Sequence, residues 1–135
     1  MPCGRVHAPM RHALLAIITT VLVVGCQAPA PGLVINGVVT AGPACPVVTE
    51  PPDPSCEDRP VQGAEIVVRN QAGESVARVR SAEDGSFSVP VVAGHYELLP
   101  QPVEGLLGTA AAVEVTVEEG VAAEPILISY DTGIR

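Results

Sequence analysis

Apolar residues recur at every second position along much of this chain after residue 32, which is the spacing of half-buried β-strands. The clearest segment runs from Val113 to Val117, where three valines alternate with Glu114 and Thr116. Six further segments alternate in the same way, with these inward positions: Ile35, Gly37 and Val39; Ala64, Ile66 and Val68; Ala77 and Val79; Phe87, Val89 and Val91; Tyr96 and Leu98; Ile126, Ile128 and Tyr130. The pattern predicts seven strands and no amphipathic helix in this part of the chain.

Turn signals separate these segments. They are Gln71-Ala72-Gly73, Glu83-Asp84-Gly85, Ala93-Gly94 and Glu119-Gly120. Asp and Gly favour tight turns because both tolerate positive φ. A chain of 135 residues has room for one domain. We therefore predict an all-β, seven-stranded antiparallel Greek-key β-sandwich.

The first 25 residues have the pattern of an export signal. Residues 1–12 contain Arg5 and Arg11 and no acidic residue, and an uncharged, mostly apolar run from Ala13 to Val24 follows. This order is typical of the charged and apolar regions of a secretory signal peptide. A transmembrane helix needs about 20 apolar residues, so the shorter run favours a signal peptide.

The end of this run, Val23-Val24-Gly25-Cys26, resembles the lipobox of bacterial lipoproteins. Val23 departs from the Leu most usual there, whereas Gly25 is the small residue that cleavage requires. The resemblance implies that Cys26 receives lipid through a thioether, with fatty acyl chains such as palmitate. We predict a signal peptide at 1–25, a short proline-rich tether at 26–32 and one domain at 33–135. Cleavage elsewhere by an ordinary signal peptidase is the alternative.

Two cysteines, Cys45 and Cys56, remain after Cys3 leaves with the signal and Cys26 takes lipid. An even pair in an exported chain predicts a disulfide, which here would close a proline-rich loop. Metal ligation is the competing interpretation, but a tetrahedral site needs four ligands and His95 is the only histidine left after cleavage. We therefore predict no metal and no cofactor.

The charge balance argues against some partners. All 15 acidic residues follow the predicted signal, and the seven basic residues are all Arg. An acidic surface repels phosphate backbones, so nucleic acid is not an expected partner. Without Lys, the chain cannot form the Lys–Asn or Lys–Asp isopeptide bonds of related surface sandwiches.

No set of residues predicts catalysis. A hydrolytic triad needs a base beside a nucleophile, and the one candidate base, His95, precedes the inward Tyr96 and should face solvent. Three acidic residues near the predicted disulfide, Asp53, Glu57 and Asp58, leave calcium binding open as a minor alternative.

One apolar loop is a candidate contact surface. Leu106 and Leu107 stand between glycines in the stretch from Pro100 to Thr109. Exposed apolar loops often mark interaction sites. The alternative is that both leucines cap one end of the sandwich.

Four motif pieces then stand in order along the chain: Ile35-x-Gly37-x-Val39, Pro60-Val61-x-Gly63-Ala64-x-Ile66-x-Val68, Asp84-Gly85-x-Phe87-x-Val89 and Gly94-x-Tyr96. Together they resemble the carboxypeptidase regulatory-like domain, a transthyretin-like β-sandwich found as an accessory module in exported proteins. The similarity spans Leu33 to Tyr130, and the longer connection through Cys45 and Cys56 departs from it. The resemblance implies a binding or spacer role without peptidase activity.

Taken together, the sequence predicts a non-enzymatic lipoprotein, held to a bacterial membrane at the cell envelope, whose partner is an unidentified envelope protein or glycan. The alternative is a carbohydrate-binding module. Sugar sites usually stack on exposed aromatic rings, and the only tyrosines, Tyr96 and Tyr130, are both predicted to point inward. A transthyretin-shaped enzyme would need several histidines and basic residues that the chain lacks.

Overall fold

The computed structural model describes residues 32–134, which form eight strands and one short 3-10 helix. The strands are β1 (Leu33–Gly42), β2 (Arg59–Pro60), β3 (Glu65–Asn70), β4 (Ser75–Arg80), β5 (Ser86–Val91), β6 (Gly94–Pro100), β7 (Val113–Val117) and β8 (Ile126–Asp131). The helix, η1, covers Pro54–Cys56. The strands divide equally between two sheets, so the predicted all-β sandwich is confirmed.

Sheet A is built around β1. Strand β5 pairs antiparallel with the first half of β1, β2 pairs antiparallel with its second half, and β8 runs parallel beside residues 37–42. Residues 37 and 38 pair with both β5 and β8, and residues 40 and 41 with both β2 and β8. Strands β5 and β2 therefore follow one another along one side of β1, and β8 occupies the other side.

Sheet B has the order β4-β3-β6-β7, and every neighbouring pair is antiparallel. Its outward face carries the charged residues Glu65, Arg69, Arg78, Glu97 and Glu114, together with the apolar residues Val67 and Leu99. The outward positions of β1, β5 and β8 in sheet A hold one charged residue, Asp131 at the end of β8, and otherwise uncharged side chains: Val34, Asn36, Val38, Thr40, Ser86, Ser88, Pro90, Leu127 and Ser129.

The registers fix which strand ends lie together. Leu33, at the start of β1, pairs with Val91 at the end of β5. Gly94, at the start of β6, pairs with Val117 at the end of β7, and β3 ends beside the first residues of β6. We call this the Leu33 end of the sandwich, and we call the opposite end, where β1 finishes, the Gly42 end.

Small and branched side chains fill the space between the sheets. Aromatic residues are only 2% of the chain, so Val, Ile, Leu and Ala supply most of the buried volume. The buried cluster comprises Ile35, Val39, Ala41, Val61, Ala64, Ile66, Val68, Phe87, Val89, Tyr96, Leu98, Ala110, Val117, Ile128 and Tyr130. Most of these residues occupy the inward positions that the alternation predicts.

A glycine in β1 makes room for the one phenylalanine. Gly37 pairs with Phe87, and a Cβ on Gly37 would lie 2.4 Å from the ring carbon Cζ of Phe87 and 2.5 Å from the carbonyl oxygen of Ile126. Only glycine allows both the ring and β8 to approach β1 this closely.

The predicted turn at Asp84-Gly85 joins β4 to β5. The backbone N–H and the hydroxyl of Ser86 both donate to the carboxylate of Asp84, at 3.0 and 2.6 Å. The hydroxyl bond chiefly, and the backbone bond with it, lower the pKa of Asp84. Gly85 has a φ of 77°, and its carbonyl accepts a hydrogen bond from the N–H of Val39 at 2.8 Å. The turn is therefore fastened to the centre of sheet A.

Two features differ from the sequence prediction. The seven predicted strands are present, but Arg59 and Pro60 add an eighth, whose pairing continues where the N–H of Val61 donates to Val39. The sheets are antiparallel except where β8 runs parallel to β1. Alternation shows which face of a strand is buried, but it carries no information about which strand lies beside it or in which direction.

Candidate functional site

The predicted lipid site lies outside the described residues. Cys26, the predicted signal peptide at 1–25 and the tether up to residue 31 are all in that part of the chain. The described chain begins at Gly32, one residue before β1. Within residues 32–134, no helix is long and apolar enough to cross a membrane.

The predicted disulfide between Cys45 and Cys56 is present. The two sulfur atoms are 2.11 Å apart and the two Cα atoms 5.1 Å apart. Both thiols are used in this bond, so neither serves as a thiolate metal ligand. The bridge closes a loop at the Gly42 end in which residues 46–55 are all exposed.

The acidic residues near the bridge have local structural roles. Asp53 caps η1, because the N–H and hydroxyl of Ser55 donate to its carboxylate at 2.9 and 2.7 Å, and these bonds lower the pKa of Asp53. The carboxylate of Asp58 lies against Gly42. Among residues 32–134, no group of three or more His, Cys, Asp or Glu residues is placed to hold a metal ion. The calcium alternative therefore has no support here.

The two leucines of the predicted contact loop differ in burial. Leu106 is half-buried and packs against the core, which matches the capping interpretation for this residue. Leu107 is 57% exposed, and its backbone N–H donates to the carbonyl of Asp131 at 2.8 Å. Only Leu107 is thus available as a contact residue.

His95 lies on the solvent face of sheet B, as predicted. Its Nδ1 atom is 2.8 Å from the hydroxyl oxygen of Thr116, the residue opposite it on β7. A histidine beside a hydroxyl is the first requirement of a nucleophile–base pair, but such a pair also needs a group that orients the base. No carboxylate of the described chain bonds the other ring nitrogen, so the contact is an ordinary cross-strand pair.

An open polar groove of about 680 Å³ surrounds this pair at the Leu33 end. The groove is lined by Asn70, Gln71, Gly73, His95, Tyr96, Glu97, Glu114, Val115 and Thr116. Glu97 lies between Arg69 and Glu114 in the register of sheet B. The groove offers amide, carboxylate and imidazole groups for hydrogen bonds, and its one aromatic residue, Tyr96, is only 8% exposed.

A second groove, of about 380 Å³, is apolar and lies between β4 and β5. It is lined by Val76, Ala77, Pro90, Val91, Val92 and Tyr96. Val76 and Val92 are 49% and 76% exposed, so a large part of this apolar surface faces solvent. The alternation of apolar residues does not predict this groove, because Val76 and Val92 lie outside the inward positions of their segments.

One buried polar residue was also missed. Ser81 is 4% exposed, and its hydroxyl accepts from the N–H of Ala64 at 2.9 Å and donates to the carbonyl of Val61. The hydroxyl therefore satisfies two backbone groups where the chain enters β3. The sequence did carry a signal that this serine is buried, because Ser81 continues the every-second-residue spacing of the inward Ala77 and Val79.

Ion pairing on sheet B is confined to its outer face. The side chains of Arg78 and Arg80 reach Glu65 across the β3–β4 pair at 2.9 and 3.1 Å. Because both guanidinium groups are well exposed, these pairs contribute little to stability, of the order of 1 kcal/mol or less each.

Solved structures with a similar fold include two pilins and the TIE protein. The chain is similar to the Bacillus anthracis TIE protein (14% identity, TM-score 0.53, 73% of this chain and 17% of that chain). It is similar to BcpA, the major pilin subunit of Bacillus cereus (14% identity, TM-score 0.51, 76% and 30%). A third is the shaft pilin spaA of Lactobacillus rhamnosus GG, as its E269A mutant (12% identity, TM-score 0.52, 73% and 51%).

These similarities establish the fold alone, because the identities are low and this chain spans about half or less of each structure. No protein-family model matches the chain, and no curated protein matches it. The β-sandwich part of the predicted resemblance is therefore confirmed, whereas membership of the carboxypeptidase regulatory-like family stays a prediction.

Proposed function

We propose that this chain is a non-enzymatic β-sandwich module held at the bacterial cell envelope by lipid on Cys26. The observation that carries the proposal is the placement of Gly25-Cys26 directly after the apolar run of an export signal. The Cys45–Cys56 disulfide supports export, because disulfides persist in oxidising compartments outside the cytoplasm.

The fold supports a structural or binding role. The carboxylate and imidazole groups that could serve as acids or bases have local hydrogen-bond partners instead. Asp53 and Asp84 accept hydrogen bonds from Ser55 and Ser86 within their own turns, and His95 pairs with Thr116. The similar folds in two pilins and the TIE protein agree with a surface module.

Detergent partition of the full chain, expressed in a bacterium, tests the anchor. The native protein is expected in the detergent phase, and the mass of its N-terminal peptide should include acyl chains on Cys26. Cys26→Ala should move the protein to the aqueous phase, whereas the matched variant Cys3→Ala, in the predicted signal, should leave partition unchanged. An unmodified Cys26, or a native protein in the aqueous phase, would show that the proposal is wrong.

Glycan binding is the second candidate, and the polar groove around His95 is the observation that favours it. The buried tyrosines weigh against it, since neither offers an exposed ring for a sugar to stack on. A soluble form starting at Gln27 can be titrated with envelope polysaccharide by calorimetry. Binding that Glu114→Ala abolishes, and that Glu124→Ala leaves intact, would place a glycan in this groove.

A further inference from the structure

We propose that the apolar surface at the Leu33 end, between β4 and β5, rests on the lipid bilayer. We call this surface the apolar corner and define it by Val34, Val76, Pro90 and Val92. The inference rests on the proposed lipid anchor at Cys26 and adds the orientation of the domain, together with the residues that contact lipid.

The corner is one continuous surface. Val76, Pro90 and Val92 line the same groove, and Val34 is the cross-strand partner of Pro90. Val34, Val76 and Val92 are 37%, 49% and 76% exposed, and none of the four residues is charged. Clustered exposed apolar residues mark a contact surface more often than isolated ones do.

The length of the tether limits which end of the sandwich can face the membrane. Leu33 lies seven positions after Cys26, and at about 3.1 Å per residue an extended proline-rich segment of this length spans about 22 Å. The ten residues of β1 extend about 30 Å from the Leu33 end to the Gly42 end at about 3.3 Å per residue. If the Gly42 end rested on the bilayer, Leu33 would lie farther from the membrane than the tether reaches. The tether therefore excludes the orientation in which the Gly42 end rests on the lipid.

The distribution of charge favours an orientation with the Leu33 end toward the lipid. Loops at the Gly42 end contain seven acidic residues, Glu50, Asp53, Glu57, Asp58, Glu83, Asp84 and Glu104, and strand β8 ends there at an eighth, Asp131. Loops at the Leu33 end contain four acidic residues: Glu74, which accepts a hydrogen bond from Asn70, and Glu118, Glu119 and Glu124 between β7 and β8. Anionic lipid headgroups repel the more acidic end. They also repel the β7 side of the Leu33 end, which turns the β4–β5 side, and with it the apolar corner, toward the bilayer.

The chain contains no Trp, so a single introduced indole reports on one position. Val92→Trp places it in the apolar corner, and the matched control Val48→Trp places it at the Gly42 end, where Val48 is 91% exposed. Both full-length lipoproteins are reconstituted into vesicles of phosphatidylcholine and anionic phosphatidylglycerol, with and without brominated acyl chains, and vesicle flotation and Trp emission are measured. Circular dichroism checks that both variants are folded.

We expect both variants to float, with emission shifted to the blue and quenched by brominated lipid for Val92→Trp, and neither shifted nor quenched for Val48→Trp. Floating protein with no quenching at position 92 overturns the orientation and leaves the anchor standing, as does quenching at position 48. A blue shift at position 92 without quenching also overturns it, because a second copy or another protein then covers the corner. Protein that does not float refutes the anchor, and the proposed orientation falls with it.

Discussion

Replacing Gly37 by Ala tests the packing at the centre of sheet A. The new Cβ would lie 2.4 Å from the Phe87 ring and 2.5 Å from the Ile126 carbonyl oxygen. Carbon atoms in contact are normally about 3.5 to 4.0 Å apart, so the methyl group would overlap both neighbours by about 1 Å or more. The ring can rotate only within a filled core, and the carbonyl belongs to β8, which pairs directly with β1. We expect a packing cost of about 3 kcal/mol, the upper part of the range for overfilled cores.

A smaller effect opposes this cost. Alanine restricts the unfolded chain more than glycine does, which stabilises the fold by about 0.5 to 1 kcal/mol where the backbone is compatible. Neither Gly37 nor Gly32 has positive φ, and a Cβ on Gly32 meets nothing within 4 Å. Gly32→Ala is therefore a matched control, because it restricts the unfolded chain in the same way but its methyl group overlaps no neighbouring atom. The net destabilisation by Gly37→Ala should be about 2 kcal/mol.

Urea unfolding of the chain starting at Gln27, followed by circular dichroism, measures these free energies. The double variant Gly37→Ala, Phe87→Leu should lose less stability than the sum of its single variants, because the smaller side chain relieves one of the two overlaps. If Gly37→Ala unfolds at the same urea concentration as Gly32→Ala, the close approach of Phe87 and β8 to Gly37 is wrong.

Three further predictions concern the loops and one buried hydroxyl. Replacing Cys45 and Cys56 together by Ala should lower the free energy of unfolding by about 3 kcal/mol, from the entropy of a loop closed over 11 positions, and equal urea midpoints for the oxidised protein and the variant would contradict this. Leu106→Ala should cost about 2 kcal/mol, because the residue packs against the core, whereas Leu107→Ala should change thermal stability by no more than about 0.5 kcal/mol. Burial raises the pKa of Tyr130, so the stability that its neutral side chain contributes should be complete below pH 10 and decline as the pH rises through the folded-state pKa. Urea titrations between pH 8 and pH 11 should therefore show a smaller loss of stability at alkaline pH for Tyr130→Phe than for the native protein.

The sequence predicted the elements with strict alternation and missed those formed by tertiary contact. Val113 to Val117 form β7 as expected, because one face of this strand is apolar and the other polar. Arg59 and Pro60 gave no strand signal, since proline lacks a backbone N–H and the flanking segment is rich in proline. They form β2 only because the second half of β1 has a free edge beside them.

Among the candidate sites, too, the sequence predicted one feature and missed another that depends on tertiary contact. The Cys45–Cys56 bridge was predictable because the predicted cleavage and lipidation leave these two cysteines alone to pair. The apolar corner was not predictable, because Val34, Val76 and Val92 belong to three separate segments. Only the register of β1 with β5, and the approach of β4 to β5, bring them onto one surface.

The parallel pairing of β1 with β8 has a consequence for biogenesis. Gly37 and Ile126 are register partners although 89 positions separate them, so sheet A is incomplete until β8 is available. Folding that depends on such distant contacts is slow, because the entropy of loop closure is lost before the contacts can stabilise the chain.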